Sequence, residues 1–276
     1  MNFATVPASD YPVPELAVLL NRGFENYFVP IQFNTNMLLT MLHKDGIDLA
    51  DSRILTSDGQ PCGIALIARR GAFRLSRLAA MGIEKTTRGR GAGSWFMDKL
   101  TGEARQRGDR EMVLEVIEQN EPAVRLYQRS GFESIRRLVG FLRRDTQGRA
   151  AGELQEIDLR EMGWLISQHG LVDLPWQLSG ESIAQMSQPA RAYRDGQAYV
   201  AISNPEAEQV VIWSLLVEQN ARGAGLGTQM LKSLMAKHAD KTWHAPALFP
   251  EEFAKVFERA GFERENLSQW QMKLSL

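Results

Sequence analysis

"TTRGRGAGSW", residues 86–95, and its near copy "NARGAGLGTQ", residues 220–229, decide how this chain is read. In the first, glycines at 89, 91 and 93 let the backbone turn tightly where a helix is about to begin. Convergent N–H groups at a helix start form a cradle for phosphate. The loop is not a Walker loop, because no lysine precedes Ser94. It is not a dinucleotide fingerprint either, because the strand before it belongs to a meander and not to a βαβ unit. Read alone, it is equally a glycine turn that caps a helix. Its return about half a chain later predicts two copies of one domain.

Composition bounds what those domains do. At 276 residues the chain has room for two domains of ordinary size, and 44% hydrophobic content supplies a core for each. No apolar run is long enough for a membrane span, and the first fifteen residues lack a basic region followed by an apolar stretch, so a cytoplasmic protein without membrane contact is expected. A single cysteine, Cys62, excludes an internal disulfide, and His43, His169, His238 and His244 have no metal-ligand spacing, so no metal is expected. A net charge of −1 speaks against a nucleic-acid partner. The halves differ: residues 1–146 carry 20 basic against 17 acidic side chains, and residues 147–276 carry 12 against 16, so an anionic ligand favours the first.

Periodicity gives the first half a strand near Phe3–Pro7, a helix over 13–27, a helix around 37–43 and a three-strand meander ending at Ile83. After the glycine loop come a helix over 95–106, the strand "EMVLEVI", a helix over 121–129 and closing strands in "FESIRRLVGFLRR". Periodicity stops in "DTQGRAAGE", 145–153, which reads as a linker. The same order then restarts. The expected architecture is α/β, in two tandem domains over 1–146 and 147–276, each closing its own mixed, mostly antiparallel sheet flanked by helices.

Arg88-x-x-Gly91-x-Gly93 after "LAAMGI", followed by "LEVIEQNEPAVRLYQRSGFE", resembles the two central motifs of the GNAT superfamily of acyl-CoA-dependent N-acyltransferases. The resemblance covers about residues 73–144 and implies acetyl-CoA as co-substrate. It implies that Arg88, Gly89, Arg90, Gly91, Ala92, Gly93 and Ser94 hold the pyrophosphate and that the backbone of Met81, Gly82 and Ile83 pairs with the pantetheine arm. Arg90 and Lys85 are phosphate partners on this reading, or solvated loop charge otherwise. In the second motif Asn120 fits the family pattern at the cofactor, and it is also a good helix N-cap. Tyr127 becomes the general acid that protonates the departing CoA thiolate, where residue chemistry alone also allows a half-buried core aromatic. An ammonium acceptor must first lose a proton. Glu115, alternating with Val113 and Ile117 on a strand, is the leading base, with Glu118 or a water relay as rivals. "Leu-Glu-Val" before Asn120 is also similar to ribosomal-protein N-terminal alanine acetyltransferases, where that glutamate is assigned as base.

The second half keeps Arg222, Gly225 and Gly227. Aligning Gly261 with Gly131 turns Glu115 into Ala245, Asn120 into Pro250 and Tyr127 into Phe257, so the first domain is expected to be catalytic and the second a degenerate copy. The expected acceptor is a small-molecule amine or a peptide N-terminus, with "YFVPIQFN" lining its pocket; oligomeric state is not legible. Two other readings remain: an acyl-CoA-binding sensor or assembly module without turnover, and a C-terminal active half using His244.

Overall fold

The computed structural model describes residues 2–144 and 154–276. The expected linker, 145–153, lies outside the described residues. The chain is a mixed α/β fold with a large, mostly antiparallel sheet flanked by helices. It divides into two compact units: Met1–Ile135 with Trp270–Leu276 make one, and Arg136–Gln269 the other.

In the first unit β1 (Phe3–Pro7), β2 (Ile47–Ser57), β3 (Gln60–Arg70) and β4 (Leu75–Ile83) form an antiparallel meander. The next strand, β5 (Glu111–Ile117), runs parallel to β4. Helices α1 (Val13–Gly23) and α2 (Thr35–Asp45) precede β2, α3 (Ala92–Gln106) joins β4 to β5, and α4 (Glu121–Arg129) follows β5. α1 stops at Gly23, earlier than its apolar stripe suggests. There its backbone meets β4 so closely that a Cβ on Gly23 would lie 2.7 Å from the Cα of Gly82. Tyr27 therefore sits on the connecting segment and not on a helix.

The second unit repeats the plan. β6 (Glu133–Arg143) opens it, followed by β7 (Gln155–Ile157), α5 (Leu159–His169), α6 (Gly180–Ala184), β8 (Arg191–Asp195), β9 (Ala198–Ile202) and β10 (Gln209–Val217). After its glycine loop come α7 (Leu226–Lys237), β11 (Thr242–Pro250), α8 (Ala254–Arg259) and β12 (Glu263–Ser275). β10 and β11 are its parallel pair. Its core gathers Met230, Leu231 and Leu234 of α7 with Trp243, Phe257 and Phe262.

The expectation of two separate sheets is corrected by the hydrogen-bonded order, β1-β2-β3-β4-β5-β12-β6-β11-β10-β9-β8-β7. The chain exchanges closing strands. β6, next after α4 in sequence, pairs with β11 over Leu138–Arg143, whereas the last residues of β12 belong to the first unit. There Met272 and Leu274 are buried with Phe96, Leu100 and Leu114, and the Leu276 N–H donates to the Arg110 carbonyl at 2.9 Å.

Candidate active site

The site begins where two parallel strands part. β4 and β5 pair only over Leu75–Arg77 and Glu111–Val113. Beyond Arg77, Met81, Gly82 and Ile83 keep their antiparallel partners on β3 and turn their other edge toward the opening. A bulge opposite Leu66 and Ile67 bends β4 as it leaves β5. An extended, amide-bearing chain fits such an edge as an added strand.

At the end of β4 the loop sets the helix start. Gly89 and Gly91 have φ of 76° and 81°, the left-handed region where an L side chain is strained. Gly91 is the N-cap of α3 and no side chain caps that end. The first intrahelical bond there runs from Trp95 N–H to the Gly91 carbonyl, so the amides of Ala92, Gly93 and Ser94 precede the helix ladder. Gly93 lets α4 approach, since a Cβ there would lie 3.2 Å from Leu126 Cδ2. Arg90 is exposed on the loop. Arg88 has a different place from the one expected. Its guanidinium donates to the carbonyls of Ile83 at 2.7 Å and Gly23 at 2.6 Å, bracing the loop against β4 and the end of α1.

Asn120 and Tyr127 are both carried by the helix that follows β5. Asn120 is the N-cap of α4, its Oδ1 accepting from Ala123 N–H at 3.4 Å. Tyr127 is buried and packs edge-on against Phe132. Burial pushes its phenol well above the ordinary range, and the nearby Tyr27 hydroxyl adds to the rise. Tyr127 thus holds its proton at every working pH. Tyr27, inside the expected helix, lies on the segment after α1. Burial raises its pKa also, opposed by a hydrogen bond from the Asn120 side chain.

Glu115 stands in a buried ion cluster. Its side chain is 3% exposed and accepts from Arg77 Nε at 2.7 Å, while Arg77 Nη1 donates to Asp45 at 3.2 Å. Burial alone would lower the Arg77 pKa, but Glu115 and Asp45 outweigh it and raise it. The strand carboxylate is answered by a buried cation and not by solvent. Removing one member of such a cluster typically costs about 3–5 kcal/mol.

Half-buried Lys44 lies beside this cluster. Burial lowers its ammonium to about 8, with Asp45 opposing and Arg77 adding. Below pH 8 Lys44 is charged in folded and unfolded chains alike, and its lost hydration opposes folding. That opposition fades as pH rises from about 8 toward 10.5, where only the unfolded chain keeps the proton. Acetic anhydride labelling read by mass spectrometry should therefore show Lys44 half-reactive near pH 8. A midpoint near the ordinary lysine value would show that the ammonium remains hydrated.

The second unit preserves the loop. Gly223 and Gly225 have φ of 87° and 82°, and Arg222 donates to the carbonyls of Val217 and His169 as Arg88 does to Ile83 and Gly23. The helix position is also preserved: Phe262 N–H donates to the Phe257 carbonyl at 3.1 Å, as Phe132 donates to Tyr127 at 3.0 Å. The strand is shifted by one. Arg77 pairs with Val113 and its counterpart Val211 with His244, which places Pro246, and not Ala245, opposite the position of Glu115. Arg77, Glu115 and Tyr127 thus become Val211, Pro246 and Phe257. Phe257 stacks on Phe141 with centroids 4.6 Å apart, beside Phe249 and Phe262.

Residues 25–132, the span that contains loop, Asn120 and Tyr127, match the Acetyltransferase (GNAT) family. These residues are a GNAT-family domain. No curated protein matches the chain in sequence. A GCN5-related N-acetyltransferase from Sphaerobacter thermophilus is similar in structure, with a TM-score of 0.67 and 14% identity over 99% of this chain and 95% of that one. A tandem GNAT protein from the clavulanic acid biosynthesis pathway is similar with a TM-score of 0.68 and 16% identity over 99% and 98%. At such identities the likeness is one of fold, but it extends across both units, where the GNAT match covers only the first. Among the described residues no group of three His, Cys, Asp or Glu is placed to hold a metal, and no helix is long and apolar enough to cross a membrane.

Proposed function

We propose that the first unit is an acyl-CoA-dependent N-acyltransferase that moves an acetyl group from acetyl-CoA to a primary amine, and that the second is a non-catalytic copy. The observation that carries this reading is the conjunction, in one unit, of parted strands, an uncapped helix start and a buried Tyr127. The amides of Ala92, Gly93 and Ser94, at the positive end of α3, suit the pyrophosphate. The free edge of Met81–Ile83 suits the pantetheine amides, and Asn120 fixes the start of α4 beside them. Arg88 supports the loop from behind, and Arg90 remains a phosphate partner in this reading.

At the reacting end the amine attacks the thioester carbonyl, and the tetrahedral intermediate expels the CoA thiolate, which takes its proton from Tyr127. A buried phenol is a weak acid, but the same burial makes a thiolate a stronger base, so the exchange stays near balance. Because Glu115 is engaged by Arg77, the proton of the incoming ammonium leaves through water. The acceptor pocket faces the segment between α1 and α2 and the start of α2, where Phe28 and Met37 respectively are half exposed, which suits an amine or peptide N-terminus with an apolar portion. A cytoplasmic location belongs to the same reading, since acetyl-CoA is the expected donor.

Thiol release from acetyl-CoA and longer acyl-CoAs, screened across amines, amino acids and N-terminal peptides, tests the reaction. Tight CoA binding without release for any acceptor would instead make the chain an acyl-CoA sensor. The cradle has its own test. Gly91→Val places a β-branched side chain at φ 81°, so CoA affinity should fall at least about tenfold as the amides of residues 92–94 turn away. Unchanged affinity at equal thermal stability would remove the loop from cofactor binding.

A further inference from the structure

Arg77 is a buried cation to which the proposed reaction gives no part beyond engaging Glu115. It stands where β4 and β5 part, since Arg77 and Val113 are the last residues of the two strands to pair. The register against β3 then shifts: Ile67 faces Leu78 and Leu66 faces Ala80, so Ala79 is the extra residue of the bulge. Glu115 lies two residues past Val113 on β5. The bond from Arg77 Nε to its carboxylate at 2.7 Å thus carries a side-chain link beyond the last backbone pair.

The same guanidinium reaches α2. Asp45, the last residue of that helix, accepts from Arg77 Nη1 at 3.2 Å, and its side chain is as good as enclosed. A carboxylate at a helix C-terminus meets the negative end of the helix dipole, so its placement there needs an offsetting cation. Gly46 closes the helix, and its carbonyl accepts from the Arg69 N–H at 3.2 Å, which joins the same end to β3. α2 is a rod about 16 Å long. Its other end, capped by Asn34, borders the acceptor segment, so a turn of the Asp45 end displaces that wall.

The fold does not demand this cluster. In the second unit the strands part past Val211 and His244, with Val211 and Pro246 at the positions of Arg77 and Glu115. A buried ion pair also adds little net stability over apolar residues of similar volume. What a guanidinium adds is geometry: its planar fork fixes two carboxylates from different elements at once, where an ammonium is a point charge. We propose that Arg77 is a positioning residue for acyl transfer: by holding Glu115 and Asp45 on one guanidinium, it sets α2, and with it the acceptor wall, against the place where the cofactor strands part. The inference rests on the acyl-transfer reading, with the acceptor pocket facing the start of α2.

The test uses the full chain with acetyl-CoA and the best acceptor from the screen, at a temperature where every variant is folded. Asp45→Asn, which keeps size and loses charge, and Arg77→Lys, which keeps charge and loses the fork, should each raise KM for the acceptor by roughly 5- to 20-fold while KM for acetyl-CoA stays within about twofold. Combining them should give no larger rise than one alone, as expected of partners in one contact. Ile54→Ala is the control for stability: Ile54 is fully buried on β2, and its truncation weakens the same unit without touching the cluster, so both KM values should stay as in wild type. An acceptor KM unmoved by Asp45→Asn, or the same split in Ile54→Ala, overturns the positioning role. No thiol release by the wild type with any acceptor is a different failure, that of the acyl-transfer reading. Hydrogen exchange decides the tie without substrate. Amides of residues 42–46 should exchange at least about tenfold faster in Asp45→Asn. If Arg77 did not hold Asp45, removing a carboxylate from the helix C-terminus would relieve dipole repulsion and slow exchange instead. Exchange equal to or slower than wild type there overturns the proposal whatever the activity assay shows.

Discussion

Tyr127→Phe is expected to lower kcat by roughly 10² to 10⁴, the usual span for a lost general acid, with affinity for acetyl-CoA within about twofold of wild type. The prediction separates two roles that the residue's chemistry allows. If Tyr127 were a core aromatic, phenylalanine would serve as well, because the edge-on contact with Phe132 and the burial of the ring do not involve the hydroxyl. If it supplies the proton, the loss falls on the step in which charge gathers on sulfur and leaves binding of the cofactor intact. The second unit carries the comparison already. Phe257 occupies the equivalent helix position, stacked on Phe141, and neither an arginine nor a carboxylate stands at the positions of Arg77 and Glu115. The assay is steady-state thiol release alongside calorimetric binding of CoA. A variant that turns over at the wild-type rate would take Tyr127 out of the reaction.

The features that were legible in sequence are those fixed by local backbone demands. Glycine at 89, 91, 223 and 225 is required by positive φ, so the two loops declare themselves and the repeat with them. The spacing of Gly131 and Gly261 gave the helix position of Phe257 correctly, and both glycines again have positive φ. The same spacing failed by one residue on β11, because the two copies differ in length between strand and helix while both still alternate inward and outward. Alternation identifies a strand without naming its neighbour. That is also why the exchange of β6 and β12 was illegible: each reads as a closing strand, and the composition of 145–153 marks a break in periodicity, not the limit of a unit. Glu115 was placed on the right strand and given the wrong environment. The signal that would have helped is Arg77 in the otherwise apolar "LSRLAAMGI", since a buried arginine needs a carboxylate partner. Tyr27 left no such signal, because its position depends on where α1 ends, at the approach of Gly23 to Gly82.

Deleting residues 270–276 is expected to unfold the first unit, although these residues stand at the opposite end of the chain from its loop and helices. They supply the strand next to β5, with Met272 fully buried and Leu274 nearly so, and with Lys273 paired to Glu111 at 3.1 Å. Losing a buried methionine or leucine side chain costs about 2–5 kcal/mol each. The backbone bonds of the missing strand add to that, and a unit of this size is stable by only about 5–15 kcal/mol. The truncation also leaves β5 as an exposed apolar edge, so aggregation should accompany the loss. A milder variant keeps the argument measurable: Met272→Ala should lower the stability of the first unit by about 2–5 kcal/mol in urea unfolding, and CoA binding should disappear at correspondingly lower urea. If closure followed chain order, with β6 completing the first unit, the truncated chain would bind CoA at its glycine loop as the full chain does. Retained CoA affinity together with an unchanged unfolding midpoint would therefore show that the chain does not exchange its closing strands.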